Sequence, residues 1–127
     1  MVSTVEHEFK SHLVEIYDEI SGEKFLIDTG STFTIVPPSS KEKSRGKGKS
    51  TLSIVAANGT AIDNYGWKDI VLDLGLKRYY YFTVLIADVT RPILGCDFLH
   101  HYGLTVDVRE GKLIDNHYRA KQRTIPV

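Results

Sequence analysis

The chain is a succession of short apolar runs broken by turn residues, and in some of them, as at 51–57, apolar and polar positions alternate with a period of two. That period belongs to half-buried strands. Residues 12–16 and 24–28 carry the first two runs, and Glu19-Ile20-Ser21-Gly22-Glu23 between them has turn chemistry, so they predict a β-hairpin. Residues 32–36 form a β-branched run that Pro37-Pro38 ends. Residues 51–57 place Leu52, Ile54 and Ala56 on one face. Asn58-Gly59 predicts a two-residue hairpin turn, because both residues tolerate positive φ, and residues 60–67 return. Strands are further expected over 70–74, 79–86, 104–108 and 112–115. One helix is expected, over 97–103, with Asp97 as its cap and Gly103 as its stop.

About eight short strands and one short helix near the C-terminus describe an all-β domain with a closed-barrel or sandwich core. At 127 residues, 42% of them hydrophobic, a single domain is expected, with its core over about 12–115. Residues 1–11 and 116–127 are polar and read as arms, linkers or interface segments.

Charge narrows the functional classes. Sixteen basic and sixteen acidic residues cancel, which removes a global electrostatic case for nucleic acid or membrane. Residues 39–50 are basic and hold no apolar residue; without aromatics for bases to stack on, they read as a solvated loop. Three successive tyrosines, Tyr79 to Tyr81, read as half-buried sheet residues. The one cysteine, Cys96, cannot close an internal disulfide, which fits a reducing, intracellular compartment; it reads as buried packing. His7 and His12, or His100 and His101, lack metal-ligand spacing, and no phosphate loop, zinc spacing or nucleophile elbow is present. No cofactor or metal is expected.

One stretch carries chemistry. Phe25-Leu26-Ile27 delivers Asp28 into the turn Thr29-Gly30-Ser31. A carboxylate at the end of a buried strand sits against the core, where it costs free energy unless compensated. By itself the triplet is weak, and a strand-ending Asp that caps a turn is the plain alternative. A second apolar run stops on a glycine at Ile93-Leu94-Gly95.

Taken together, Asp28-Thr29-Gly30-Ser31, the hairpin at 52–67, Ile93-Leu94-Gly95 and the short helix after it resemble the retropepsins, the single-lobe aspartic proteases of retroviruses and long-terminal-repeat retrotransposons. Ala56-Ala57-Asn58-Gly59-Thr60, Ile86-Ala87-Asp88-Val89 and Pro92-Ile93-Leu94-Gly95-Cys96-Asp97-Phe98-Leu99 look like the Gypsy-type branch. The resemblance implies a homodimer that cleaves a retroelement polyprotein, in the cytoplasm or within retroelement particles. Catalysis by carboxylates asks for two of them, and this chain offers one suitable Asp, so two copies would supply the pair. The resemblance makes Asp28 the catalytic residue. Thr29 would bond across the dimer axis, and Gly30 would let the backbone pack under the carboxylates. Ser31 is expected to donate its hydroxyl to Asp28 and favour the ionised form. Ala57, Asn58, Gly59 and Thr60 would form a flap over the substrate, and Ile35, Val89 and Ile93 would line its pockets. Cys96 stands where retroviral enzymes carry an arginine that supports this turn. The alternative is a retropepsin-like binding or dimerisation module with weak or no catalysis, such as a host-adopted element.

Overall fold

A computed structural model of the chain describes residues 13–46, 54–56 and 58–118. Ten strands lie within these residues: β1 (Glu15–Tyr17), β2 (Lys24–Ile27), β3 (Ile35–Val36), β4 (Ile54–Val55), β5 (Ala61–Ile62), β6 (Asn64–Leu72), β7 (Tyr80–Ala87), β8 (Ile93–Leu94), β9 (Leu104–Asp107) and β10 (Lys112–Asp115). Helix α1 spans Ser40–Ser44 and α2 spans Cys96–Tyr102. The all-β expectation holds. Six strands form one sheet in the order β1-β2-β8-β3-β7-β6, while β9–β10 and β4–β5 are separate antiparallel hairpins. No helix among the described residues is long and apolar enough to cross a membrane.

The topology brings the two apolar runs that stop at Asp28 and Gly95 side by side. Strand β8 lies parallel to β2, pairing Leu26 with Ile93 and Ile27 with Leu94, and its other edge meets β3 at Ile35. Burial follows the pleat. Phe25 and Ile27 face a large core with Val14, Val36, Leu72, Tyr80, Val84, Ile86, Leu94 and Phe98. Strand β7 is buried on both faces from Val84 to Ala87, because Leu85 and Ala87 join Ile35 in a second, smaller core. Phe33, Ile54, Ile62 and Val89 pack on that smaller cluster.

Buried polar groups tie the loops to this frame. Asp18 is buried; its carboxylate accepts the Ser21 hydroxyl at 2.6 Å, the amides of Ile20 and Ser21, and the Asp73 amide at 2.8 Å. It thereby links the β1–β2 turn to the end of β6. Burial pushes this carboxyl up, and the Ser21 hydroxyl with the three amides outweighs that and holds it below the ordinary value. Asp115 accepts from Arg78 at 2.8 Å and from the Tyr80 hydroxyl at 2.7 Å, pinning β10 to the start of β7.

Four expectations are corrected. The 39–50 loop begins with α1, whose Ser39 hydroxyl and Glu42 carboxylate cap each other's amides, with Glu42 also held by Lys68 at 3.1 Å. Residues 64–72 form one nine-residue strand with a bulge near its start, not the ends of two strands. Asn58-Gly59 does not make a two-residue turn. The Ala56 amide reaches the Thr60 carbonyl (2.8 Å) and the Gly59 amide reaches Ala56 (2.9 Å), so three residues are enclosed, and of Asn58 and Gly59 only Gly59 takes positive φ, +86°. Finally, α2 starts one residue earlier than expected, on an N-cap, Gly95, that offers no side chain, while Gly103 ends it as expected. The run at 51–53 lies outside the described residues, as do arm residues 1–11 and 119–127.

Candidate active site

Asp28 leaves the end of β2, its amide bonded to the Leu94 carbonyl at 2.9 Å. The turn then closes on itself: the Ser31 amide returns to the Asp28 carbonyl (3.0 Å) and the Gly30 amide donates to Asp28 Oδ1 (3.0 Å). The carboxylate is half-buried, less deep than its strand suggests, while Thr29 and Gly30 are exposed.

The second glycine run carries the turn from beneath. A Cβ on Gly95 would lie 2.8 Å from the Ser31 carbonyl oxygen, 2.6 Å from the Phe33 carbonyl carbon, and closer still to the Phe33 oxygen. All are backbone atoms, so only glycine fits there. Helix α2 adds three bonds to the same loop. The Cys96 amide donates to Ser31 (2.8 Å), the Asp97 amide to Thr32 (3.1 Å), and the Cys96 thiol to the Thr29 carbonyl (3.2 Å). Cys96 is exposed, a correction to its expected burial: its place just outside the Asp28 turn leaves the thiol open to solvent.

Two contributors were not anticipated. Thr34 is fully buried; its amide and hydroxyl donate to the two Asp97 oxygens (3.1 and 2.7 Å), and its hydroxyl accepts the Gly95 amide (3.0 Å). Asp97, expected to cap α2, is a strut between the helix and the loop after Asp28, although it also meets the next amide, that of Phe98, at 2.7 Å. Ser31 is the other correction. Its hydroxyl proton goes to the Phe33 carbonyl at 2.8 Å, so it is not the donor to Asp28 that was expected.

Above the turn lies a cleft of about 590 Å³, lined by Asp28, Gly30, Ser31, Thr32, Phe33, Ile35, Ile54, Val55, Ala56, Ile62, Val89 and Ile93. Ile35, Val89 and Ile93 thus share a surface with Asp28, the sole ionisable lining residue among the described residues. The β4–β5 hairpin contributes its stem. Asn58, Gly59 and Thr60 sit exposed at its tip and do not line the cleft; Ala57 lies outside the described residues. Phe33, Ile54 and Ile62 escaped the sequence reading, although Ile54 shows in the alternation of its strand.

Two parallel strands that each end in a glycine-bearing turn, an Asp between them, and a hairpin over the resulting cleft define a known fold. It is retropepsin-like. Among solved structures the chain is similar to "EIAV protease complexed with the inhibitor HBY-793", with a TM-score of 0.51 at 19% identity over 72% of this chain and 86% of that one. No protein-family model matches the chain, and no curated protein matches it in sequence. At 19% identity the likeness is one of fold. Within the described residues, the retropepsin-like frame leaves no group of three or more His, Cys, Asp or Glu side chains placed to hold a metal ion.

Proposed function

We propose that the chain is an aspartic endopeptidase that works as a homodimer, each copy supplying one Asp28. The observation that carries this reading is the placement of Asp28: the one charged group among the described lining residues of a largely apolar cleft, in a turn fixed by backbone bonds from two strands and a helix. One carboxylate cannot serve as base and acid at once. The exposed Thr29 and Gly30 leave the turn free to meet its symmetry mate.

In the pair, like charges held close share one proton. The ionised carboxylate takes a proton from water as that water attacks the scissile carbonyl. The protonated one hydrogen-bonds the carbonyl oxygen, and a proton then passes to the leaving nitrogen. Thr29 bonds across the axis, and the β4–β5 hairpin closes over an extended peptide that adds as a strand. Ile35, Val89 and Ile93 receive apolar side chains. The substrate is a retroelement polyprotein of the Gypsy type, cleaved in the cytoplasm or in particles, where an exposed Cys96 stays reduced.

The test is incubation with polyprotein and with a generic protein substrate across acidic to neutral pH, with and without a statine-type inhibitor. Cleavage should vanish in Asp28→Asn and with the inhibitor. Cleavage that survives Asp28→Asn removes the mechanism. A strictly monomeric chain by sedimentation, with no cleavage, selects a binding module instead.

A further inference from the structure

Phe33 lines the cleft on a backbone that cannot yield. Its carbonyl holds the Ser31 hydroxyl at 2.8 Å and is pressed against Gly95, and the next residue, Thr34, is fully buried on Asp97. Only rotation of the ring itself is left to adjust. That ring meets the Trp67 indole edge to face, at 5.7 Å between centroids and 74° between planes. Trp67 stands on β6, opposite the fully buried Leu85 of the smaller core, and the β4–β5 hairpin runs into β6 after Asp63 alone. Yet 46% of Trp67 is exposed, a large apolar surface whose one aromatic neighbour among the described residues is Phe33.

We propose that Trp67 is a positioning residue that acts through Phe33: it holds the Phe33 ring as one wall of a subsite for an uncharged, apolar side chain of the bound peptide, and it couples that wall to the stem of the hairpin over the cleft. The inference rests on the peptide-binding part of the reading above and not on catalysis. The lining supports the choice of side chain. Phe33 stands with Ile35, Ile54, Ile62, Val89 and Ile93, and no cation among the described lining residues is there to meet an acidic side chain. Among the described lining residues a basic side chain would have only Asp28, which the reaction itself engages. A ring held in place offers apolar surface to an aliphatic or aromatic group, and area removed from water then favours the match.

Trp67 is the chain's single tryptophan, so its fluorescence reports on this wall with no other contributor. The probe is a capped hexapeptide of Leu, Val and Phe with a central statine, which is not cleaved. Its titration into the unaltered chain should give a saturable change in Trp67 emission. A matched peptide with Lys or Glu at the flanking positions should bind at least tenfold more weakly. By calorimetry, Trp67→Ala should weaken the apolar peptide about 3- to 10-fold, the range expected for loss of an aromatic pair. Trp67→Phe should restore most of that loss, and Phe33→Ala should at least match it. In a cleavage assay the same Trp67→Ala change should raise KM and leave kcat within twofold. Unchanged peptide affinity in either Phe33→Ala or Trp67→Ala overturns the inference, as does a bound peptide that leaves Trp67 emission unaltered. Binding with these effects but no cleavage by any preparation supports the inference while defeating the protease reading, so the two fail separately.

Discussion

Gly95→Ala is the sharpest test of how the Asp28 turn is held. The added methyl would sit 2.6 Å from the Phe33 carbonyl carbon and 2.8 Å from the Ser31 oxygen, where ordinary contact needs about 3.4 Å or more. Neither neighbour is the end of a flexible side chain. Relief requires the Phe33 peptide to move, and with it the Ser31 hydroxyl bond, the Leu85 amide bond to Thr34 (3.0 Å) and the Gly95 amide bond to Thr34 Oγ1 (3.0 Å). Overpacking of this kind costs about 1–3 kcal/mol. Losing one or two of these bonds in a buried setting adds about 1–3 kcal/mol. The sum, about 2–6 kcal/mol, is a large part of a typical domain's stability and lowers Tm by about 8–24 °C. Gly59→Ala is the control, because a Cβ there meets nothing within 4 Å and the strain is only that of φ +86°, about 1–2 kcal/mol. Thermal unfolding followed by circular dichroism compares the two. The reasoning is refuted if Gly95→Ala melts within about 3 °C of the unaltered chain, or if Gly59→Ala costs more than Gly95→Ala.

Three further outcomes follow from the same bonds. Asp18→Asn loses a carboxylate that accepts four donors and should cost about 2–4 kcal/mol in urea unfolding near neutral pH. Because Asp18 is held below the ordinary carboxylate value in the fold, its stabilisation is full above the unfolded value of about 4 and is lost as pH falls through the depressed one. The gap between the two proteins should therefore narrow on going to strong acid, and a gap that widens there contradicts the assignment. Ser31→Ala should cost about 1 kcal/mol through the lost bond to Phe33 and leave the acid limb of the cleavage profile in place; a limb that moves upward would return the hydroxyl to Asp28. Cys96 in the folded chain should react with a thiol reagent without denaturant, and a thiol that reacts only after unfolding argues against its exposed position.

The strands were legible because short apolar, β-rich runs and the turn residues that break them are local signals, and β2, β7 and β10 lie close to where those signals put them. What was misread shows where local signals compete. Helix α1 has no apolar face, so hydrophobic periodicity is blind to it, although the Ser39 and Glu42 spacing of a capping box stands in the sequence. Asn58-Gly59 is the strongest short hairpin signal known, and yet the cross-strand bond at Ala56 and Thr60 selects the longer loop. Asp97 had the look of a helix cap because it precedes an apolar helical run. Its partner Thr34 is 63 residues away, and no spacing along the chain announces such a pair.

That last pair explains why the candidate site reads only in part from its own motif. Asp28-Thr29-Gly30 names the turn, but what holds the turn is distant: the Leu94 carbonyl, the close fit of Gly95, the Cys96 and Asp97 amides, and the Asp97 carboxylate on Thr34. Each acts through backbone atoms or through a side chain aimed away from the cleft. Substitution among them should therefore change the stability of the turn before it changes the chemistry of Asp28. The lining behaves in the opposite way. Phe33, Ile54 and Ile62 pack on a small core of three buried residues, and trimming any of them costs the larger core nothing while reshaping the cleft. In this fold, then, the frame of the turn and the wall of the cleft are separable. A motif-bearing chain can keep the first intact while the second changes what it binds.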